Sequence, residues 1–244
     1  MILVSIPVRR PVSCQGSNHS SVSCLWLIIG ADPSELLEGP KIGFKLPEVL
    51  TVEEIDRIIS AVDRSKAEGQ RNRAILETLY SCGLRVSELV NLKLSDLYFD
   101  EGFIKVEGKG SKQRLVPISP RAINEIKLYF TDRNRIEVKK EYEDFVFVSQ
   151  RRGKGLSRIM IFHMIKELAQ TAGIIKNISP HTFRHSFATH LLEGGANLRA
   201  IQCMLGHESI ATTEIYTHID RNMLRSEIIE HHPRNIKYRK EKER

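Results

Sequence analysis

The stretch Ser179-Pro-His-Thr-Phe-Arg-His-Ser-Phe-Ala-Thr-His190 is the densest polar cluster on an otherwise apolar helical segment of this chain. Pro180 suits the first position of a helix. His181 and Arg184 share one face near the start of that helix, where backbone N–H groups and the helix dipole favour a bound phosphate. The stretch therefore predicts a helix that packs one face into the core and offers a histidine and an arginine to an anion.

The histidines of this helix allow two other interpretations. His181, His185 and His190 could form a zinc site, but their spacing does not converge well and no cysteine or carboxylate lies close by. We therefore predict no metal site. His185 is better explained as a core histidine whose ring has a hydrogen-bond partner.

Composition and charge restrict the class of protein. The formal net charge of +7 and the pI of about 9.3 favour a polyanionic partner, either nucleic acid or an anionic membrane surface. The four cysteines form no CxxC motif, which suits a reducing compartment. No apolar run approaches the roughly 20 residues of a membrane span, and a polar stretch separates the early arginines from the short apolar run at 22–29. We expect a cytoplasmic protein.

Periodicity predicts a predominantly helical α+β fold. Thr51 and Glu54 form a capping box before an apolar helical stripe. Short apolar runs punctuated by glycine predict a small three-stranded antiparallel sheet at about 97–99, 103–106 and 114–118. The other predicted helices lie at about 72–82, ending at Gly83, and at 85–92, 120–138, 157–172, 181–194, 197–205, 209–216 and 220–230.

Two further segments carry residues suited to phosphate chemistry. Cutting a phosphodiester without a metal needs a nucleophile, fixed positive charge, a general base and a general acid. Arg85 follows a glycine at a helix start, and Glu88 one turn later can brace its guanidinium. Lys109 lies at a glycine-flanked turn, where its ammonium could reach a leaving oxygen. Alone, these residues would equally suit a surface ion pair and a solvated lysine.

The segment after the predicted helix 197–205 supplies a histidine and a tyrosine. His207 follows Gly206, and Tyr216 lies in the run Thr212-Thr-Glu-Ile-Tyr-Thr-His218. A tyrosine hydroxyl has a pKa of about 10, so it needs help to attack at neutral pH. Nothing intrinsic separates Tyr216 from the other five tyrosines of the chain.

Taken together and in this order, these motifs resemble the tyrosine recombinases of the phage integrase type, especially their Xer branch. The likeness covers about 51–233. It rests on Gly83-Leu-Arg-Val-Ser-Glu-Leu, Glu107-Gly-Lys-Gly-Ser-Lys-Gln-Arg-Leu-Val-Pro, the stretch Ser179–His190, Leu205-Gly-His and Thr212-Thr-Glu-Ile-Tyr-Thr-His.

The resemblance implies a role for each residue. Tyr216 is expected to attack the DNA backbone and form a 3′-phosphotyrosyl link, with Arg85 and Arg184 clamping the phosphate. Lys109 would protonate the 5′ leaving oxygen, and His181 would act on the tyrosine proton. His207 would hydrogen-bond the phosphate, Glu88 would orient an arginine, and Lys112 and Arg114 would contact DNA. The covalent link stores the phosphodiester energy, so neither ATP nor any other cofactor is expected.

The resemblance also implies an assembly on DNA. Four protomers would exchange strands of double-stranded DNA through a Holliday junction, with a paralogous recombinase or a DNA translocase as further partners. The segment 228–232 would dock into a neighbouring protomer. The expected organisation is an atypical segment 1–30, a remnant of a core-binding domain and linker at 31–50, a catalytic domain at 51–233, and a loose charged tail at 234–244. The chain is thus expected to be truncated at its N-terminus.

Two other functions remain compatible with the sequence. A shortened recombinase could retain only the nicking and resealing activity of a type IB topoisomerase. It could also be a non-catalytic DNA-binding remnant. Formation of a covalent adduct that depends on Tyr216 separates the last alternative from the other two.

Overall fold

The computed structural model describes residues 48–108, 110, 112–206 and 221–242. The predicted N-terminal segment 1–30 and nearly all of 31–50 lie outside that part of the chain. Helix α1 (Val52–Ser60) begins with the predicted capping box. The Glu54 N–H donates to Thr51 Oγ1 at 3.2 Å and the Thr51 N–H donates to Glu54 Oε2 at 2.8 Å. Both bonds satisfy N–H groups that a helix start otherwise leaves without an acceptor.

Helix α2 (Gly69–Cys82) forms the centre of the domain. It begins a few residues earlier than predicted and is buried along most of its length. A helix that is buried on nearly every side needs packing partners on several faces. Helix α4 (Pro120–Arg133) and helix α6 (Pro180–Glu193) supply the most extensive of them.

Gly83 ends helix α2 for two reasons. Its φ of 58° lies in the left-handed region that favours glycine. A Cβ at this position would also lie 2.4 Å from Cδ1 of Phe187, a buried ring on α6. The tight turn sends the chain directly into the short helix α3 (Val86–Val90), with Arg85 at its N-cap.

The predicted three-stranded antiparallel sheet is confirmed. Its order is β1 (Leu97–Tyr98), β2 (Phe103–Glu107), β3 (Gln113–Pro117), and the β2–β3 pairing runs from Phe103 opposite Pro117 to Glu107 opposite Gln113. The Gly108 N–H donates to the Lys112 carbonyl at 2.8 Å, which closes the hairpin. The hairpin turn therefore lies at the expected glycine-rich segment.

The remaining helices lie close to their predicted positions. They are α5 (Arg158–Thr171), α6, α7 (Leu198–Leu205) and α8 (Arg221–His231), and α4 ends earlier than predicted. The predicted helix at 209–216 lies outside the described residues. Within the ranges that the structure describes, no helix is both long enough and apolar enough to cross a bilayer.

The prediction of a loose tail beyond Pro233 is wrong. Helix α9 (Pro233–Lys242) continues the fold, and the buried side chain of Arg234 pairs with Asp56 of α1 and Glu77 of α2. The segment before it, expected to dock into a neighbouring protomer, packs on its own domain in this single chain: Ile228 and His232 are each only 1% exposed. The charged composition suggested a solvated tail. The partners of Arg234 are more than 150 residues away in the sequence, so its burial could not be predicted from the residues around it.

Candidate active site

Arg85 is held by a carboxylate one helical turn away. Its backbone N–H donates to Glu88 Oε2 at 2.8 Å, and its Nη1 donates to Glu88 Oε1 at 2.9 Å. Its Nη2 donates to the Gly206 carbonyl at 3.4 Å. The side chain remains 37% exposed. Arg85 is therefore fixed on one side and open to an anion on the other.

Arg184 approaches the same place from helix α6. Its Nη1 donates to the Gly83 carbonyl at 2.8 Å and its Nη2 to the Leu205 carbonyl at 2.5 Å. The side chain is only 10% exposed, and Nη1 lies 4.0 Å from Glu88 Oε2. Burial, together with the neighbouring charge of Arg85, lowers the pKa of Arg184 to about 10. The guanidinium still carries its proton at neutral pH.

His181 lies one turn before Arg184, as the sequence predicts, and is exposed at the start of α6. The other two histidines of that helix differ from expectation. His185 is exposed, so its assignment to the core is wrong. His190 is the buried histidine, and its Nδ1 lies 2.8 Å from the hydroxyl oxygen of Tyr80. The ring of His190 is thus engaged in the core, away from the two exposed histidines.

Glu88 is the buried centre of this cluster, with its side chain 1% exposed. Burial would raise the pKa of Glu88, but the hydrogen bonds and charge of Arg114, followed by the hydrogen bonds from Arg85, outweigh it and hold the pKa below the ordinary 4.5. The carboxylate is therefore ionised at neutral pH and balances part of the surrounding positive charge.

The side chain of Arg114 is buried, which differs from the position that we expected from the sequence. We expected a DNA contact, but its side chain is 6% exposed and turned inward. Nη1 and Nη2 donate to the two oxygens of Glu88 at 2.7 and 2.9 Å, and Nε donates to the Met204 carbonyl at 2.8 Å. Alternation along the strand carries a signal for this, because Arg114 shares the inward face of β3 with buried Val116. Lys112, by contrast, is exposed on the hairpin.

The C-terminal end of helix α7 holds all three arginines. The carbonyls of Met204, Leu205 and Gly206 accept hydrogen bonds from Arg114, Arg184 and Arg85 respectively. The last carbonyls of a helix receive no hydrogen bond from the N–H groups of that helix. They also lie at the negative end of the helix dipole, which favours cations. Sequence reasoning missed this function of the residues before His207, because it depends on backbone atoms.

A cleft of about 560 Å³ adjoins Arg85 and the base of the hairpin. Its walls include Ser87, Asn91, Lys93 and Lys105. The lining is mixed, with the carboxylates of Asp96 and Glu107 and the apolar side chain of Val106 among the cationic and polar residues. Lys109, His207 and Tyr216 lie outside the described residues, so the structure brings together Arg85, Arg184 and Glu88 and places His181 on the same helix as Arg184.

Comparison with known proteins identifies the class. The phage integrase family matches residues 48–223, which is most of the chain. The chain therefore belongs to the phage integrase family, and the predicted fold class is confirmed.

Individual relatives narrow the class to Xer-like tyrosine recombinases. Tyrosine recombinase XerD of Staphylococcus saprophyticus is 45% identical over 203 residues, covering 83% of this chain and 68% of the relative. XerD of Halalkalibacterium halodurans is 44% identical over 204 residues, covering 84% and 68%. Among solved structures, the XerA recombinase has a TM-score of 0.60 at 36% identity, covering 78% of this chain and 67% of that one. XerH bound to difH before cleavage has a TM-score of 0.60 at 30% identity, covering 72% and 51%.

Proposed function

We propose that this chain is a site-specific DNA recombinase that cleaves and rejoins double-stranded DNA through a tyrosine–phosphate link. The observation that carries the proposal is the pair of arginines, Arg85 and Arg184, held by Glu88 and by the end of α7 around one point. Planar guanidiniums suit the non-bridging oxygens of a phosphate, and a fixed pair costs no reorganisation as charge develops there.

The reaction that we propose begins when the hydroxyl oxygen of Tyr216 attacks the scissile phosphorus. The new bond joins that oxygen to phosphorus, and the bond from phosphorus to the 5′ oxygen breaks. His181 takes up the tyrosine proton, and Lys109 delivers a proton to the leaving 5′ oxygen. Arg85 and Arg184, with His207, stabilise the charge on the phosphate oxygens. The reverse reaction with a 5′ hydroxyl of another strand gives the recombinant product.

We propose that the reaction occurs in the cytoplasm, on DNA bound by four protomers. Several structures similar to this chain are recombinases in complex with DNA, among them XerH with difH. The resemblance of the sequence motifs to the Xer branch makes chromosome dimer resolution, and with it chromosome partition at cell division, one role for the chain. Integration of a mobile element is the other. A paralogous recombinase and a DNA translocase are the expected partners in the first role. The exposed Lys112 is expected to contact the DNA backbone beside the cleavage site.

The proposal is tested by trapping the covalent intermediate on a library of nicked duplexes with randomised sequence. A nick close to the cleaved bond lets the short 5′ fragment diffuse away, so the adduct accumulates and its DNA can be sequenced. We expect an adduct stable to denaturation with the wild-type chain and none with Tyr216→Phe, which retains DNA binding. Chelation of divalent cations should leave the yield unchanged.

The same assay distinguishes the alternatives. Joined recombinant product on the recovered sequence supports a recombinase, whereas adduct and relaxation without joining would support an activity like that of a type IB topoisomerase. A folded wild-type chain that binds DNA but gives no adduct with any member of the library would contradict the proposal.

A further inference from the structure

Arg114 connects three separate parts of the active site. It belongs to strand β3, it forms a two-pronged pair with Glu88, and it donates from Nε to the Met204 carbonyl of α7. Every nitrogen of its guanidinium therefore has an acceptor within the protein. To reach a DNA phosphate, the side chain would have to abandon a buried carboxylate, which is costly.

Through Glu88, Arg114 determines the position of Arg85. Each oxygen of Glu88 accepts one hydrogen bond from Arg114 and one from Arg85. Oε2 of Glu88 also lies 4.0 Å from Nη1 of Arg184. The fork of Arg114 fixes the plane of the carboxylate, because two parallel hydrogen bonds allow little rotation. A fixed plane in turn fixes the guanidinium of Arg85.

Arg114 also packs against the turn that leads to His207. Gly206 has a φ of 64°, and a Cβ there would lie 3.2 Å from Cδ and Nε of Arg114. The side chain therefore lies close beside Gly206, one residue before His207, and leaves little room for a larger residue there. Arg114 also follows the hairpin that carries Lys109, so a single side chain links the hairpin, Glu88 and the end of α7.

We infer that Arg114 is a positioning residue for DNA cleavage: it holds Glu88 and the end of α7 so that Arg85 and Arg184 meet the scissile phosphate in one fixed geometry. This inference rests on the proposed function. It assigns Arg114 to the rate of the cleavage step, and it removes Arg114 from the set of residues that bind DNA.

The first test separates the cleavage rate from DNA binding. Arg114→Met keeps an unbranched side chain but removes the fork. We expect the first-order rate of adduct formation at saturating protein to fall about 100-fold, because a small misplacement of a catalytic group has effects of that order. The Kd for the same duplex, measured in a Tyr216→Phe background, should remain nearly unchanged. Arg114→Lys should recover part of the rate, since an ammonium can hold one carboxylate oxygen but not both in a fork.

Arg71 provides the matched control. It is 6% exposed, and it donates to the Val148 carbonyl and to Asn72 instead of to an active-site residue. Arg71→Met therefore removes a comparably buried arginine and its backbone contact. We expect it to lower stability while leaving the rate of adduct formation, per folded molecule, unchanged.

A pH profile tests whether Arg114 acts through Glu88. Without Arg114, Glu88 remains buried but loses the hydrogen bonds and charge that most favour its ionised form, so it takes up a proton at higher pH. The rate of Arg114→Met relative to wild type should therefore rise with pH. Adding Glu88→Gln should abolish that rise, because the remaining amide does not titrate.

Three outcomes would overturn the inference. One is a weaker Kd with an unchanged rate in Arg114→Met, which would make Arg114 a DNA ligand. Another is an equal loss of rate in Arg71→Met. The third is an unchanged rate in folded Arg114→Lys, and it is used if circular dichroism shows that Arg114→Met does not fold. A wild-type chain that forms no adduct would instead refute the proposed function, and is thus distinguishable.

Discussion

Two buried carboxylates of this chain each have arginines beside them, yet their pKa values are shifted in opposite directions. Glu77 of α2 accepts hydrogen bonds from Arg121 and Arg234, and burial raises its pKa in spite of their charges. The side chain of Glu88 is likewise almost unexposed, but its pKa is lowered. The two regions around them are here called the C-terminal seat (Glu77, Tyr80, His190, His232 and Arg234) and the arginine cluster (Arg85, Glu88, Arg114 and Arg184).

Depth of burial and the number of donors both differ between the two carboxylates, and Glu77 is the more deeply buried of the two, so desolvation raises its pKa more strongly. Glu88 receives a two-pronged pair from Arg114 and two bonds from Arg85, one of them from a backbone N–H. Arg121 Nε and Arg234 Nη2 both donate to Oε1 of Glu77, and Glu125 nearby adds a repelling charge. The comparison teaches that proximity to arginine does not by itself stabilise a buried carboxylate; the nearby charges and hydrogen bonds must outweigh the cost of desolvation.

The largest effect is expected from Glu88→Ala. Removing the carboxylate leaves Arg114 buried without a counter-charge, and loss of one partner of a buried pair costs about 3–5 kcal/mol. The free energy of unfolding from urea titration should fall by this amount, and adduct formation should be lost in the folded fraction.

Glu77→Ala is the matched comparison. Arg234 keeps its pairing with Asp56 in that variant, so the stability loss should be smaller and the rate of adduct formation per folded molecule should not change. Equal losses of stability and rate in both variants would show that the two regions do not differ in the way that their pKa shifts indicate.

Gly83→Ala should have the next largest effect, because Gly83 supplies a carbonyl to Arg184 from a left-handed turn. A left-handed alanine costs about 1–2 kcal/mol, and the contact with Phe187 adds an overpacking cost of about 1–3 kcal/mol. We expect a total of roughly 3 kcal/mol with a reduced cleavage rate. Gly173 is the control: its φ is 69° but a Cβ there meets nothing within 4 Å, so Gly173→Ala should show only the conformational cost in thermal unfolding.

The sequence predicted local contacts well. The capping box of α1, the hairpin at the glycine-rich segment and the pair of Arg85 with Glu88 all depend on residues close together in the chain, where spacing determines geometry. The family resemblance placed the fold class and the enzyme class correctly, because its motifs span most of the chain.

Long-range burial was the part that spacing did not predict. Arg114 and Arg234 are buried through partners far away in sequence, so their charges suggested a DNA contact and a solvated tail. The structure buries His190 where we had expected His185 to be buried, and the cause is simpler. His190 follows Phe183 and Phe187 at helical spacing and so shares their buried face, whereas His185 lies on another side of α6.

On acidification, the effect of His232 on stability should begin at a higher pH than that of Glu88. Burial, with the charges of Arg234 and His190 and against the Tyr80 carbonyl, lowers the pKa of His232 to about 3. The unfolded chain binds a proton there below its ordinary 6.5, and the folded chain does not, so stability falls as pH drops through 6.5 and the loss continues to about 3. The pKa of Glu88 is lowered, so its contribution to the stability of the fold begins to fall only below about pH 4.5.

The size of this effect follows from linkage. Between pH 7 and pH 5, His232 should remove about 2 kcal/mol from the free energy of unfolding. His232→Phe, which suits a site between the rings of Tyr80 and Phe187, should make the urea-derived stability less steep in that range. A slope identical to that of the wild type would show that His232 is already protonated in the fold or that it does not remain buried.

The smallest effect is expected from Tyr80→Phe, which removes only the hydroxyl group that meets Nδ1 of His190. Loss of one buried hydrogen bond that leaves its partner unsatisfied costs about 1–2 kcal/mol. Thermal unfolding should detect this loss, while the rate of adduct formation should stay at the wild-type value, because no hydrogen bond joins Tyr80 to the arginine cluster among the described residues. A slower cleavage rate in the folded Tyr80→Phe protein would mean that the C-terminal seat and the arginine cluster are mechanically coupled through α2 and α6. The contrast between a purely structural carboxylate and one that positions an active-site arginine would then have to be replaced by a single network that spans the domain.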